Sequence, residues 1–438
     1  MSWRERSGRS WGRLGMKFNI WKDCPKVPIT ELLSFIVDNR GKTVPTADDG
    51  WKLIATNCVT NNTLFPVYEK VRYLTQETYE TWFRAHPIPG DILFVNKGTP
   101  GRVCLVPDPV DFCIAQDMIA LRADDEKIYN KYLFAVLRSR EIQQQIYNTN
   151  VGDVIPHFKK QFMDQLLIPV PDRRIQEIIG NLYYELSYKT ELNKKINNNL
   201  EQQAVVLFRS WFSAFSLSPN SPRVDSEFGE IPESFAVVKV GSLPMLITDY
   251  VANGSFASLK ANVNLYQEPN YAYFIRNTDL KSGSYGVFVD QHSYEFLSKS
   301  TLYGGEIIIS NVGDVGSVFL CPKLDGRMTL GNNIIMLRPQ DDHLRYYLYI
   351  WFKYLQGQAL IQGIKGGSAQ PKFNKTDFKN TSVLIPPKDI LTRFHETVAP
   401  MFEMISQRQA ETARLTDLRD TLLPQLMSGE IDVSSLDL

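Results

Sequence analysis

The sequence has no charge to spare. Its 48 Lys and Arg balance 48 Asp and Glu, so the basic excess that draws many nucleic-acid binders to phosphate is missing, and any such attraction has to come from locally segregated charge. Cysteine is scarce: Cys24, Cys58, Cys104, Cys113 and Cys321 lie 34, 46, 9 and 208 residues apart. An odd number without close pairs fits neither a disulfide framework nor a zinc knuckle, and the five read as reduced core residues of a cytoplasmic protein. No stretch approaches the ~18 apolar residues of a membrane span. Residues 1–15 carry arginines but lack the apolar core of a secretory signal, and are expected to be a disordered extension.

The loops of common group-transfer chemistry are missing as well. An amino-methyltransferase needs Asp/Asn-Pro-Pro-aromatic, whereas the single Pro-Pro is Pro386-Pro387, between Ile385 and Lys388. Neither a Gly-x-Gly donor loop nor the phosphate loop Gly-x-x-x-x-Gly-Lys-Ser/Thr occurs. Of His86, His157, His292, His343 and His395, no two stand at helical metal-ligand spacing. No catalytic or metal site is expected.

What is present is a repeat. Gly90-Asp91-Ile92-Leu93-Phe94 resembles Gly305-Glu306-Ile307-Ile308-Ile309, an offset of 215 residues. The same offset pairs Gly98 with Gly313, Gly101 with Gly316, Gly152 with Gly367, Pro156 with Pro371, Phe158 with Phe373 and Pro171 with Pro386. One register held this long means a duplicated domain rather than a solenoid. Each copy begins β-rich, with short apolar runs at 91–95 and 103–106 joined by the turn Gly98-Thr99-Pro100-Gly101. A helix follows over 131–146 and 346–361, then a Gly-x-x-x-Pro-x-Phe loop and a last strand. Pro107-Asp108 with Asp125-Glu126-Lys127 imitates a metal-nuclease set, but the repeat puts Lys323 opposite Asp108 and both stretches read as exposed turns.

Each copy ends in a long helix. In the first, Ile175, Ile179, Leu182, Leu186, Ile196, Leu200 and Leu207 fit a heptad seam. In the second, Phe394, Met401, Leu415, Leu418 and Leu422 fall on the corresponding stripe, with Pro400 and Pro424 as kink and stop. A helix of ~40 residues exceeds what a small domain covers, so the two are expected to pair. The fold class is α+β: two repeated β-rich domains, each followed by a long helix, the helices forming an antiparallel coiled coil with pseudo-twofold symmetry. The boundaries read as domain 16–171, helix 172–215, linker 216–235, domain 236–386, helix 387–427 and tail 428–438.

Two local strings carry a resemblance. Leu207-Phe208-Arg209-Ser210-Trp211-Phe212, followed by Gly229-Glu230-Ile231-Pro232-Glu233, and the ending Leu422-Leu423-Pro424-Gln425-Leu426-Met427-Ser428-Gly429-Glu430-Ile431 resemble the junction and ending of the specificity subunit of type I restriction–modification systems. Gly90-Asp91-Ile92 and Gly305-Glu306-Ile307 resemble that family's strand starts. The second helix departs from the pattern, lacking the glutamine that Gln176 supplies in the first. The resemblance implies a non-catalytic chain whose domains each recognise half of a split double-stranded DNA target, and whose helices set the spacer and dock two adenine methyltransferase subunits. A motor-nuclease subunit completes the restricting complex. No cofactor is expected on this chain; S-adenosylmethionine, and ATP with Mg, belong to the partners.

Under that resemblance the DNA-binding candidates are loop cations: Arg40, Lys42, Lys97, Arg102, His157, Lys159 and Lys160 in the first domain, and Lys260, Arg276, Lys281, Lys365, Lys372 and Lys375 in the second. Asn96, Asn311, Gln370 and Asn374 are candidates for base edges. Two other classes compete: a protein-binding adaptor without DNA recognition, and a catalytic methyltransferase–nuclease fusion, which the missing loops oppose.

Overall fold

Residues 92–95, Ile-Leu-Phe-Val, have no polar side to turn toward water, and in the computed structural model all four are buried. The structure describes residues 18–39, 41, 43–149, 156–367 and 370–431; the expected 1–15 extension and the tail from 432 on lie outside them. The chain divides into two compact units, one comprising the sequence up to Leu192 together with Arg414 onward, the other Asn193–Ala413. Each unit therefore takes part of both long helices.

The first unit has strands β1 (Lys26–Pro28), β2 (Leu33–Val37), β3 (Trp51–Ile54), β4 (Arg72–Leu74), β5 (Ile92–Val95), β6 (Val103–Leu105), β7 (Phe112–Ile114), β8 (Met118–Ala123) and β9 (Leu167–Pro169). One sheet has the order β2-β8-β5-β6, another β4-β3-β7, and β1 pairs with β9. Because successive side chains leave a strand on opposite faces, β5 serves two cores. Ile92 and Phe94 pack with the helices, while Leu93 and Val95 pack toward β3 and β7.

The second unit repeats this plan. Its strands are β10 (Arg223–Ser226), β11 (Gly229–Pro232), β12 (Ala236–Lys239), β13 (Met245–Asp249), β14 (Leu265–Tyr266), β15 (Ala272–Ile275), β16 (Phe288–Val289), β17 (Thr301–Leu302), β18 (Ile307–Ser310), β19 (Val318–Leu320), β20 (Arg327–Leu330), β21 (Ile334–Pro339) and β22 (Ser382–Ile385). The sheet β13-β21-β18-β19 has the order of its counterpart, β12 pairs with β22, and the remaining sheet runs β14-β16-β15-β20-β17. Even the parallel pair recurs, β3 with β7 and β15 with β20. The stretch read as a linker is not featureless, because β10 and β11 form a hairpin closed at Gly229, whose φ is +86°.

The single helix expected in each copy is two. In the first unit Asn130–Leu137 is followed by Arg140–Asn148, and in the second His343–Lys353 by Leu355–Gly363. A break frees carbonyls that need donors, and a repeated glutamine supplies them. Gln143 Nε2 donates to the Leu137 carbonyl at 2.7 Å and to that of Gly101 at 2.8 Å. Gln358 Nε2 does the same for Phe352 and Gly316. The break is thereby tied to the turn between the hairpin strands.

The long helices are Arg173–Phe212 and Lys388–Ser428, and they pair antiparallel. In the second unit Phe212 meets Phe394 with ring centroids 4.9 Å apart, while Asn193 Nδ2 donates to Glu411 Oε2 at 2.8 Å. In the first, Ile178, Ile179 and Tyr183 share a core with Leu423, Leu426 and Met427. Pro424 does not stop the helix, which runs through it to Ser428 as it does through Pro400, and packing of Leu423, Leu426 and Met427 offsets the backbone bond lost at Pro424. The seam is also shifted. Ile179 and Phe394 are buried. Ile175, Leu182 and Leu422 flank one core, Leu200, Leu207 and Met401 another, and Leu186, Ile196 and Leu415 are half-buried. Leu418 is 45% exposed, and Arg419 beside it is buried, its guanidinium 5.5 Å from the Tyr183 ring centroid.

Gln176, missing from the second helix, has a structural task. Its Oε1 accepts from Tyr129 N–H at 2.8 Å and its Nε2 donates to the Pro171 carbonyl at 2.8 Å. One turn on, a Cβ at Gly180 would lie 2.6 Å from Tyr132 N, so helix meets helix backbone to backbone. The equivalent of Gln176 in the second unit is Leu391, buried in the core instead.

Two histidines make stability depend on pH. His86 stacks on Tyr79 at 4.0 Å, and burial holds its pKa below 6.5 although the Tyr79 carbonyl acts against this. His395 stacks on Tyr346; burial and then the neighbouring His343 lower its pKa too. The unfolded chain therefore takes up more protons than the folded one below pH 6.5. Stability is fully present above that value and falls as the pH drops through it. Melting temperature measured across this window should decline, and less steeply in the variant His86→Gln/His395→Gln. A wild-type profile that stays flat through it would count against this.

Candidate nucleic-acid interface

In each unit the same scaffold holds a turn between two hairpin strands. Gly98 and Gly101 take φ of +84° and +89°, and Gly313 and Gly316 take +76° and +96°, conformations that disfavour any side chain. Asparagine then anchors the turn. The Asn96 carbonyl accepts from Phe158 N–H at 2.8 Å and Asn96 Nδ2 donates to the Phe158 carbonyl at 3.3 Å. Asn311 makes the same two bonds with Phe373, at 3.0 and 3.4 Å. Gly98 N–H and Gly313 N–H donate to Pro156 and Pro371. Asn96 is fully buried, and half-buried Asn311 spends its amide on the Phe373 carbonyl, so both position loops. Asn374 is likewise committed, its side chain accepting from Asp377 N–H as a helix cap.

The scaffold brings some of the expected cations together. Backbone bridges join Lys97 to His157 and Val312 to Lys372, so His157 and Lys372 occupy one position in two copies. Lys97 Nζ lies 3.9 Å from Asp117, and Arg102 is half-buried on the same hairpin. In the second unit Lys365 stands beside Gly366, which exchanges both backbone bonds with Lys372 at 2.9 Å. Lys281 reaches the turn itself, pairing with Asp314 at 2.7 Å. Burial raises the Asp314 carboxyl, but bonds from Lys281 and Ser317 outweigh it and hold the pKa below the usual range.

Other candidates are tied elsewhere. Arg276 is bound at 2.9 and 2.7 Å to Asp279, whose side chain is only 5% exposed; this ion pair raises the guanidinium pKa, and the residue closes its own helix start. Lys375 pairs with Asp249 at 3.0 Å and Lys160 with Asp38 at 3.5 Å, the same contact in both copies. Lys159 and Lys260 are exposed, and Lys260 sits apart on the helix Phe256–Asn262. Arg40 and Lys42 lie outside the described residues. The nuclease-like string is dispersed into surface pairs: Asp125 meets Arg173 and Lys127 meets Asp124. Among the described residues no group of three or more His, Cys, Asp or Glu is placed to hold a metal, and no helix is long and apolar enough to cross a membrane.

The sequence reading missed a groove beside β13. Lys299, Arg338, Lys375 and Lys379 line an open cavity of about 370 Å³ with Thr248, Thr301 and Tyr303. Lys375 and Lys379 sit one helical turn apart on Lys375–Asn380, a spacing visible in the sequence, but nothing there puts Lys299 and Arg338 next to them.

Two copies of an α+β unit, each with a loop scaffold and a share of the paired long helices, define a duplicated α+β protein. The type I restriction modification DNA specificity domain matches residues 29–202 and again 247–411, and the chain belongs to this family. It is 25% identical over 358 residues to the type I restriction enzyme MjaIX specificity subunit of Methanocaldococcus jannaschii, covering 79% of each chain. It is 24% identical to the HindI specificity subunit of Haemophilus influenzae, covering 78% of this chain and 86% of that one. In fold it matches the type I S subunit from M. genitalium with a TM-score of 0.52, at 16% identity and over 94% of this chain and 98% of that one.

Proposed function

We propose that each unit reads one half of a bipartite double-stranded DNA target, and that the chain itself performs no chemistry. The two long helices set the spacer and dock two adenine methyltransferase subunits, which bring S-adenosylmethionine. A motor-nuclease subunit brings ATP with Mg, and the complex works in the cytoplasm. The observation that carries this reading is one scaffold with different side chains. The anchoring asparagine, the glycines and the bridging glutamine recur, while Lys97, Thr99 and His157 become Val312, Asp314 and Lys372. Two readers built alike but lined differently suit two different sequences, because base edges present donor and acceptor patterns that side chains must match.

Exchanging residues 16–171 for the equivalent domain of another specificity subunit, then sequencing the methylated sites of the host, tests the reading. Half of the target should change and the other half persist. Alteration of both halves, or of neither, would sink the modular reading, and methyl incorporation by the isolated chain would overturn its non-catalytic role.

A further inference from the structure

The groove beside β13 differs from its counterpart in charge, and this difference points to unequal work by the two units. Of its four cations, Arg338 is held by Glu306 at 2.9 Å and Lys375 by Asp249 at 3.0 Å. Lys299 and Lys379 are exposed and form no ion pair among the described residues. Four cations thus stand against two carboxylates, and no carboxylate lines the groove itself. The guanidinium of Arg338 lies 4.5 Å from the centroid of the Tyr303 ring, which is 70% exposed. Hydroxyls of Ser298, Thr301 and Tyr303 complete the lining. Cations interleaved with hydroxyls are the groups that bond phosphodiester oxygens.

The repeat supplies the comparison. Arg84, Arg122 and Lys160 of the first unit occupy the places of Lys299, Arg338 and Lys375: Arg84 and Lys299 each donate a backbone N–H to an asparagine Oδ1, and the other two make matching ion pairs. Arg122 stands opposite Phe35 in its strand pair, as Arg338 stands opposite Leu246. The place of Lys379 is taken by Asp164, which accepts from Thr30 Oγ1. Asp91 holds Arg122 and Asp38 holds Lys160. Among the described residues, three cations here stand beside three carboxylates, against four cations and two carboxylates at the groove.

We propose that the groove lined by Lys299, Arg338, Lys375 and Lys379 grips the DNA backbone, so that the second unit supplies more of the sequence-independent hold on the duplex than the first. This rests on the DNA-reading function proposed above. Each neutralised phosphate releases counterions and steepens the fall of affinity with salt by about 0.9 in a plot of log K against log salt.

The test measures binding of the full chain to a random-sequence duplex several helical turns long, across a salt titration. Lys299→Ala/Lys379→Ala should flatten the slope by about two, making the affinity lost over a fourfold rise in salt about tenfold smaller. Lys299→Arg/Lys379→Arg should keep the wild-type slope, and Arg84→Ala/Lys160→Ala should flatten it by less than about one. A wild-type chain that binds with strong salt dependence, joined to an unchanged slope in Lys299→Ala/Lys379→Ala, overturns the groove. Equal flattening by the two alanine pairs overturns the asymmetry. Failure of the wild-type chain to bind DNA at all removes the function on which the proposal rests.

Discussion

Arg122→Met is expected to cost the first unit about 3–5 kcal/mol of stability, the loss typical of stranding a buried charge. The Asp91 side chain is only 2% exposed. Its carboxylate accepts from Arg122 Nε at 2.9 Å and Nη2 at 3.0 Å, and from Ile88 N–H at 2.9 Å. Methionine preserves most of the stem beside Phe35 but takes away the counter-charge. The second unit repeats the arrangement, with Arg338 donating to Glu306 and to the Thr301 carbonyl. Urea denaturation of the full chain measures the loss. Asp91→Leu/Arg122→Met should recover most of it, since two apolar side chains leave no charge to solvate. A loss under about 1 kcal/mol for Arg122→Met, the size expected of an exposed pair, would show that water reaches Asp91 after all.

That ion pair also shows how far the sequence could be read. Asp91 and Glu306 stood out because each follows a glycine with φ near +85 to +88°, and such glycines keep their place when a domain duplicates. Their arginines are offset by 216 rather than 215 residues, so one register did not align them. The short apolar runs declared β5, β6, β18 and β19 directly. The parallel pairs were hidden, because strand partners distant in sequence leave no mark on local periodicity. Among the cations, exposure and position were legible but partnership was not: Lys375 meets Asp249 across 126 residues.

The long helices were legible in length and only partly in face: Ile179 and Phe394 are buried as read, while Leu418 is exposed. Aliphatic periodicity suggested a seam through Leu182, Leu186, Ile196 and Leu200. The buried line instead runs through Tyr183, Ser187, Thr190 and Asn193 to Ala204 and Phe208. Its middle is polar, which a search for apolar periodicity discounts. Asn193 is fully buried and donates to Glu411 and, at 3.4 Å, to Thr412. A polar residue inside a helix pair costs stability and selects one register, since any slip leaves it without its partner.

The fixed register governs what a longer helix would do. Facing residues in the second unit follow the Asn193–Glu411 pair, which places Asn199 opposite Ile405. Beyond that point Glu201 anchors its helix to the helix His343–Lys353 of the same unit, accepting from Tyr349 Oη and Lys353 Nζ, both at 2.6 Å. Four residues inserted after Asn199 alone would advance Glu201 and Phe208 by ~6 Å and turn them by ~40° against an unchanged partner helix. Phe208 and Phe212 would then leave Tyr347 and Phe394, which they now meet at 4.9 to 5.9 Å. Displacing buried aromatics of this size costs about 3–5 kcal/mol each, so the single insertion should lose methylation outright. Four residues inserted in both helices, repeating Leu200–Gln203 in the first and Ile405–Arg408 in the second, keep every facing pair matched on either side. If the helices set the spacer, this paired variant should methylate the same two half-targets with one or two more base pairs between them, ~6 Å against ~3.4 Å per base pair. Sequencing of methylated sites decides it. An active paired variant with the original spacer would show that the helix pair does not measure the distance between the two half-targets.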